Sequence, residues 1–569
     1  MRKEWIKSAS VLLVTTLMLA ACSDSGNSNT PTPEQNQTSS AANGNNKGEE
    51  NATPSADPMA KYDPPVEIKV AWPSSQTWKY QTGDSLDNNI WSREYADKLG
   101  IKIKTEWTAE GGPSGYDQKM NVAIASGSLP DMFWLNPLQL KQLVDAGQLA
   151  DLTEAFDKYA TPLTKEIMNS DGGLGLGTAT FDGKLMAVPS LGATFYSPRV
   201  LWVRTDWLKK LNLPEPKTMQ DVFTISEAFT NNDPDGDNKK DTYGLGLSKD
   251  LYNGGIALLD GFANGFHAYP TIWVKNEDGT VTNGSTSLQM KAALAKLQEM
   301  YKSGQIDPEF GVKDGGKVGE SIAANKLGML FGENWLPYYP LIDAMKQNPE
   351  MEWKPFALPS IDDQPAKGGA GLPLGPYTAV KKGFGNPEAV IKMLNTQVEK
   401  FYQEPVDPNS PFNVVMQGED RIENYHFAFV GTGAGGDIVA DSVRLLQDAI
   451  DKDDPEIAKK MLAETDKFEP IREYVKSKKM EFWPQAMQFE AFKVMLGYYD
   501  NKLIETSPLA GQTETMGEKG AALDKLEKET FTKIIMGAAS VDEFDKFVSD
   551  WNKIGGEQIT KEVNELVNK

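Results

Sequence analysis

One cysteine, Cys22, stands among 569 residues, so no disulfide forms within the chain and no thiolate nucleophile sits in a folded core. Structure must rest on packing, and a chain this long buries enough apolar surface for that. Histidine is almost as scarce. His267 and His426 are the two present, and neither belongs to a metal-binding or nucleophile-elbow pattern. Basic residues are outnumbered: 58 Lys and Arg against 80 Asp and Glu give a formal net charge of -22. Nucleic acid and anionic lipid would be repelled over most of such a surface, so no nucleic-acid partner is expected. An acidic ligand inside a cleft is not excluded by that balance, because neighbouring groups set the field in a pocket. No phosphate-cradling glycine motif precedes a helix; Gly431 to Gly436 follows no βαβ unit and reads as a loop. A membrane-spanning run is missing too, since the apolar and small residues from Val11 to Ala21 fall short of the roughly 20 a span needs.

That short run has another use. Arg2, Lys3 and Lys7 precede it and Leu19-Ala20-Ala21-Cys22 follows it, which is the order of a cleaved signal peptide ending in a bacterial lipobox. Residues 1–21 are read as the signal peptide, with diacylglyceryl lipid on Cys22 holding the chain at the extracytoplasmic face of the cell membrane. From Ser23 to about Asp63 the composition is Ser, Asn, Gly, Thr, Pro and Gln with few large apolar residues, too little to offset ordering entropy. Residues 22–63 are therefore expected to be a tether, spanning about 35 Å as a flexible coil.

Beyond it the pattern becomes that of an α/β protein. Val66–Trp72 alternates β-branched residues as a strand does, a helix runs to Leu99, and Gly100 stops it. Strand Ile101–Trp107, helix Tyr116–Ser126 and strand Asp131–Trp134 complete a βαβαβ order, which predicts parallel strands with ligands at their carboxyl ends. Leu138–Tyr159 reads as a helix and Leu185–Pro189 as a closing strand. A second alternation follows: strands at Val200–Arg204, Tyr243–Leu247 and Leu327–Phe331, helices at Met219–Thr230 and Leu288–Lys302. Strand Tyr377–Lys381 and helix Pro387–Tyr402 are expected to rejoin the first lobe. Helical patterns at 455–467, 484–499, 523–536 and 541–553 fill the remainder. The expected division is 64–198 with about 374–440 for lobe one, and 199–373 with about 441–569 for lobe two.

Four stretches carry a resemblance: Tyr116-Asp-Gln-Lys-Met-Asn-Val-Ala-Ile-Ala-Ser-Gly-Ser-Leu-Pro-Asp131, Asp182-Gly-Lys-Leu-Met-Ala-Val-Pro189, Leu201-Trp-Val-Arg-Thr-Asp-Trp207 and Ser303-Gly-Gln-Ile-Asp-Pro-Glu309. With the lipobox and the segment Phe531–Gly537, they resemble the extracellular solute-binding lipoproteins of bacterial carbohydrate ABC importers. The resemblance implies a two-lobe periplasmic-binding-protein-like fold of type II, an oligosaccharide held in the cleft between lobes, and ABC permease subunits as partners. A monomer without catalytic activity is expected. A secreted glycosidase would need an acid and base pair, and none stands out; a polysaccharide-binding sensor or adhesin is the other alternative.

Asp233-Pro-Asp-Gly-Asp-Asn-Lys-Lys-Asp241 places carboxylates at alternating positions, as the start of an EF-hand loop does. Asp233, Asp235 and Asp237 with the Lys239 carbonyl and Asp241 are expected to bind a structural Ca2+; Gly244 stands where an EF-hand has its bidentate glutamate. A solvated acidic turn is the alternative reading. Sugar binding needs flat apolar faces and planar polar groups. Among 13 Trp and 18 Tyr, Trp78 and Trp134 stand at predicted strand ends, where they read equally as ligand platforms or as core, and by resemblance Trp335 is the leading stacking platform. Tyr196 and Arg199 lie at the lobe junction, where the guanidinium would either meet a hydroxyl pair or uronate, or fix the hinge by an ion pair. Arg204 with Asp206 reads as a structural pair, and Trp483 and Tyr425–Phe427 are weaker cleft candidates that read first as packing.

Overall fold

The computed structural model describes residues 57–74, 78–110, 112–252, 254–418, 420–509 and 511–568. The signal peptide, Cys22 and most of the tether lie outside the described residues. Two mixed sheets are built from β1 (Val66–Pro73), β2 (Ile101–Ala109), β3 (Met132–Leu135), β4 (Val188–Leu191), β5 (Val200–Arg204), β6 (Tyr243–Leu245), β7 (Leu327–Gly332), β8 (Trp353–Phe356) and β9 (Leu374–Val380). The first sheet runs β2-β1-β3-β9-β4 and the second β8-β5-β7-β6.

The βαβαβ opening yields parallel pairing of β1 with β2 and with β3. The sheet is not parallel throughout. Strand β9 returns from the far half of the chain and pairs antiparallel with both β3 and β4. In the second sheet β5 is antiparallel to β7 and β8, while β7 and β6 are parallel. Crossover strands that arrive from the other lobe carry no βαβ constraint on their direction, which is why parallel pairing is confined to β1 to β3 in the first sheet and to β6 with β7 in the second.

Strand β5 is apolar at four successive positions because both its faces are covered. Leu201 and Val203 face one cluster, with helices Met219–Asn231, Leu288–Lys302 and Glu514–Ile535, and Val200 and Trp202 face another, with helices Gly436–Lys452 and Trp483–Asp500. The first sheet has its own core, centred on Val70, Met132, Phe133 and Ala379. Local signals set the helix starts. Thr218 and Asp221 form a reciprocal capping box at Met219–Asn231, and Asn136 and Gln139 do the same at Pro137–Asp145.

Several sequence-based expectations shift. The helix expected over 138–159 is two, Pro137–Asp145 and Thr153–Tyr159, because Leu149 bridges to Lys381 beside β9. The helix expected over 455–467 covers Pro455–Ala458 alone, and the next begins at Phe468. Helices Gly436–Lys452 and Glu557–Val567 were not expected. The last residues of the expected tether are docked: the Tyr62 amide donates to the Leu99 carbonyl at 2.8 Å and its hydroxyl donates to Glu388 at 2.7 Å. Gly100, at φ 68°, is required there, since a Cβ would stand 2.5 Å from the Tyr62 carbonyl oxygen.

Candidate functional site

A cavity of about 1440 Å3 opens where β1 and β3 end, lined there by Pro73, Ser74, Trp134 and Asn136. Ligands in α/β sheets bind at this edge because the loops leaving the strands diverge there. Aromatic rings make its wall. Trp134, half-buried, stacks on Phe429 at 5.5 Å and 20°, packs edge-on against Trp72, and donates its indole N–H to the Phe429 carbonyl at 2.9 Å. Trp78 lies nearly parallel to His426, 5.5 Å between ring centroids, with Phe427 edge-on beneath it. Tyr425, 39% exposed, tilts against His426 at 4.3 Å. His426 Nε2 is 2.9 Å from Glu423 Oε2.

Tyr425 and His426 line the cavity, in keeping with the cleft alternative over the packing one, and Phe427 is buried. The linear sequence marks them only weakly, because they arrive from a loop some 290 residues after β3. Tyr116, Asp117 and Glu464 were not singled out and line the cavity.

Tyr196 belongs to the crossover and borders both this cavity and a second one of about 340 Å3 that contains Arg199, Asp260, Asn264 and Glu333. Its hydroxyl donates to Glu464 at 2.5 Å. Burial holds the phenol well above its ordinary range, and the Glu464 carboxylate adds to that. Arg199 Nε donates to Asp260 at 2.9 Å, and its Nη1 donates to Glu333. Burial raises the Glu333 carboxyl, with Arg199 opposing the shift. Of the two readings of Arg199, its cation is committed to two carboxylates. Arg204 and Asp206 form the expected structural pair, with two contacts at 2.8 and 2.6 Å.

Trp335 stands just past β7 and is not among the residues lining the large cavity. It is 36% exposed, and its ring lies over Gly255, where a Cβ would come within 2.2 Å of Cζ2. Trp483 is buried, as a packing residue is.

The acidic loop joins helix Met219–Asn231 to β6. Asp233, Asp235 and Asp237 bring carboxylate oxygens within 4.8 Å of one another. Asp233 wraps the turn by accepting from the amides of Gly236 and Asn238, both at 3.1 Å. A buried oxygen of Asp235 has no hydrogen-bond partner, and burial with its acidic neighbours raises that carboxyl. Three converging carboxylates with an unmet lone pair fit a hard divalent cation. Asp241 is outside the cluster and pairs with Lys326 at 3.1 Å; the Lys239 ammonium pairs with Asp237 at 2.6 Å.

Two lobes, with an aromatic-walled cavity at the strand ends of one and a crossover residue shared with the other, define a protein that encloses a solute. Residues 79–401, more than half of the chain, match the bacterial extracellular solute-binding proteins, and the chain belongs to that family. The polygalacturonan/rhamnogalacturonan-binding protein YtcQ of Bacillus subtilis (strain 168) is 23% identical over 519 residues, 89% of this chain and 92% of its own length. Among solved structures, the alginate-binding protein AlgQ2 without calcium ion aligns with a TM-score of 0.56 at 15% identity, over 90% of this chain and 99% of its own. The S.pneumoniae ABC-transporter substrate-binding protein FusA with kestose aligns at 0.58 and 16%, over 88% and 99%. These structural likenesses establish the shared two-lobe fold. FusA is also known as an EF-hand mutant.

Proposed function

We propose that this chain captures an oligosaccharide outside the membrane and delivers it to the permease subunits of an ABC transporter. The observation that carries this is the wall formed by Trp78, Trp134, Tyr425 and His426, whose flat faces suit pyranose or furanose rings. The names of YtcQ and FusA support the same reading, since both are oligosaccharide or polysaccharide binders. Tyr196 spans the two cavities and would sense lobe closure. Binding biases such a hinge toward its closed state, the form a permease recognises.

In this reading Cys22 carries the lipid anchor and residues before about Ala60 act as the tether, which raises the effective concentration of receptor at the permease. Lobe one comprises 64–198 with about 374–440, and lobe two 199–373 with about 441–569. Asp233, Asp235 and Asp237 hold a structural Ca2+, with the Lys239 carbonyl and, after rearrangement, Asp241 as further ligands. Trp335 is retained as a contact from lobe two, reached on closure, and the protein performs no catalysis.

The test is calorimetric titration with oligosaccharides, with product analysis on the same mixtures. Saturable binding without turnover is expected. Trp78→Ala should lose about 1 to 2 kcal/mol, roughly five- to thirtyfold in Kd. Hydrolysis products, or unchanged affinity in a folded Trp78→Ala variant, would sink the respective parts of the reading.

A further inference from the structure

Resting on that reading of the large cavity as an oligosaccharide site, we infer that its ligand is uncharged, and that the cleft selects against uronic acid sugars. A carboxylate on a bound sugar needs a cation or several donors in place of its lost water. Among the described residues, no lysine or arginine lines the cavity. Its carboxyl groups are Asp117, which makes no ion pair among the described residues, and Glu464, and its one imidazole, His426, already meets Glu423 at 2.9 Å.

The cations near its edges already have partners: Lys119, one turn from Tyr116, donates to the Thr108 carbonyl at 2.9 Å and lies over the Trp107 ring. Lys79, beside Trp78, pairs with Asp420 at 2.5 Å. Lys467 pairs with Glu464 at 3.8 Å and Asp466 at 3.4 Å. Arg421 is bound to Glu423, the same carboxylate that meets His426. Arg199, the one guanidinium in the adjoining cavity, faces both Asp260 and Glu333. One positive charge against two negative ones leaves that wall with no capacity for a third carboxylate. A uronate entering here would lose its hydration, meet like charge, and gain no cationic partner unless a formed ion pair broke. Neutral hydroxyls face no such cost, because carboxylates, Ser190 and Thr432 all accept or donate to them. The inference separates this chain from YtcQ, whose name is that of a polygalacturonan binder.

The deciding experiment titrates the intact protein with length-matched panels of neutral oligosaccharides and uronic acid oligosaccharides, the latter including oligogalacturonides as free acids and as methyl esters. The tightest ligand is expected to be neutral, with every free acid at least tenfold weaker. Any measurable acid binding should strengthen as salt screens the repulsion. A free acid that binds tightest or within tenfold, or whose affinity falls with salt, overturns the inference and leaves the sugar-binding reading intact. Failure of every sugar, neutral or acidic, to bind overturns both.

Discussion

Glu527 lies in helix Glu514–Ile535 with 9% of its surface exposed, and its carboxyl accepts from the Ser285 hydroxyl at 3.0 Å. Burial pushes its pKa up to about 7, against an ordinary value of 4.5, with the Tyr252 and Ser285 hydroxyls pulling the other way; Asp524 raises it slightly and Lys528 lowers it. A carboxyl whose folded pKa is raised keeps its proton in the native state while the unfolded chain has already released it. Between about pH 4.5 and 7 the native state therefore binds more protons, so stability falls as pH rises through that window and is level above it. A shift of this size corresponds to on the order of 3 kcal/mol. Glu527→Gln mimics the protonated form and keeps an acceptor for Ser285. Wild type and variant should have nearly equal stability at pH 4.5, and the variant should gain steadily to about pH 7. Spread over a unit of roughly 500 residues unfolding together, the gain at pH 8 is about 3 °C in Tm. Differential scanning calorimetry of both proteins from pH 4.5 to 8 isolates this group, because all other titrations cancel in the difference. A difference that is flat with pH, or a variant less stable at pH 8, would refute the assignment of a buried protonated carboxyl.

Arg199→Met should destabilise the protein by about 3 to 5 kcal/mol, because Asp260 and Glu333 would be left without a cation; denaturant unfolding should show most of that recovered when Asp260→Asn and Glu333→Gln are added. Gly255→Ala should cost about 1 to 3 kcal/mol through its clash with the Trp335 ring. Gly254→Ala is the control, with a similar positive φ and Asp250 4.0 Å away as its nearest contact; equal losses in the two variants would remove the clash as the cause. Ca2+ at a hundredfold excess over its Kd should stabilise the protein by about 2.7 kcal/mol, a shift that a chelator reverses and Asp235→Asn diminishes. A thermal melt indifferent to Ca2+ and chelator would rule out the ion.

Sequence patterning was most legible where local rules dominate. The alternation at Val66–Pro73, the capping box at Thr218, and the apolar run of β5 each determine their element within a few residues. The 455–467 segment misled because its helical pattern is broken by tertiary demands: Glu464 adopts φ 55° and turns its carboxyl to Tyr196 and Lys467. Trp78 and Trp134, which line the cavity, are legible because aromatic residues at strand ends are a local signature. Tyr425 and His426 are legible only as weaker cleft candidates because what makes them cavity residues is a loop placement set with the packing of Trp91 and Phe427. Arg199 was legible as a junction residue, yet its two partners, 61 and 134 residues away, are knowable only from the fold.

Strand β9 has a consequence for how the chain is made. It is the sole link between β3 and β4 in the first sheet, so β4 has no neighbour there until residues 374–380 have been synthesised. At ordinary elongation rates the roughly 180 residues between them take about 10 to 40 s. During that interval the first lobe has only three of its five strands joined and no closed core, which keeps the leading half of the nascent chain pliable. A sheet whose central seam arrives two thirds of the way along the chain cannot complete its core until then, which would suit passage of an unfolded chain across a membrane under the signal-peptide reading of residues 1–21.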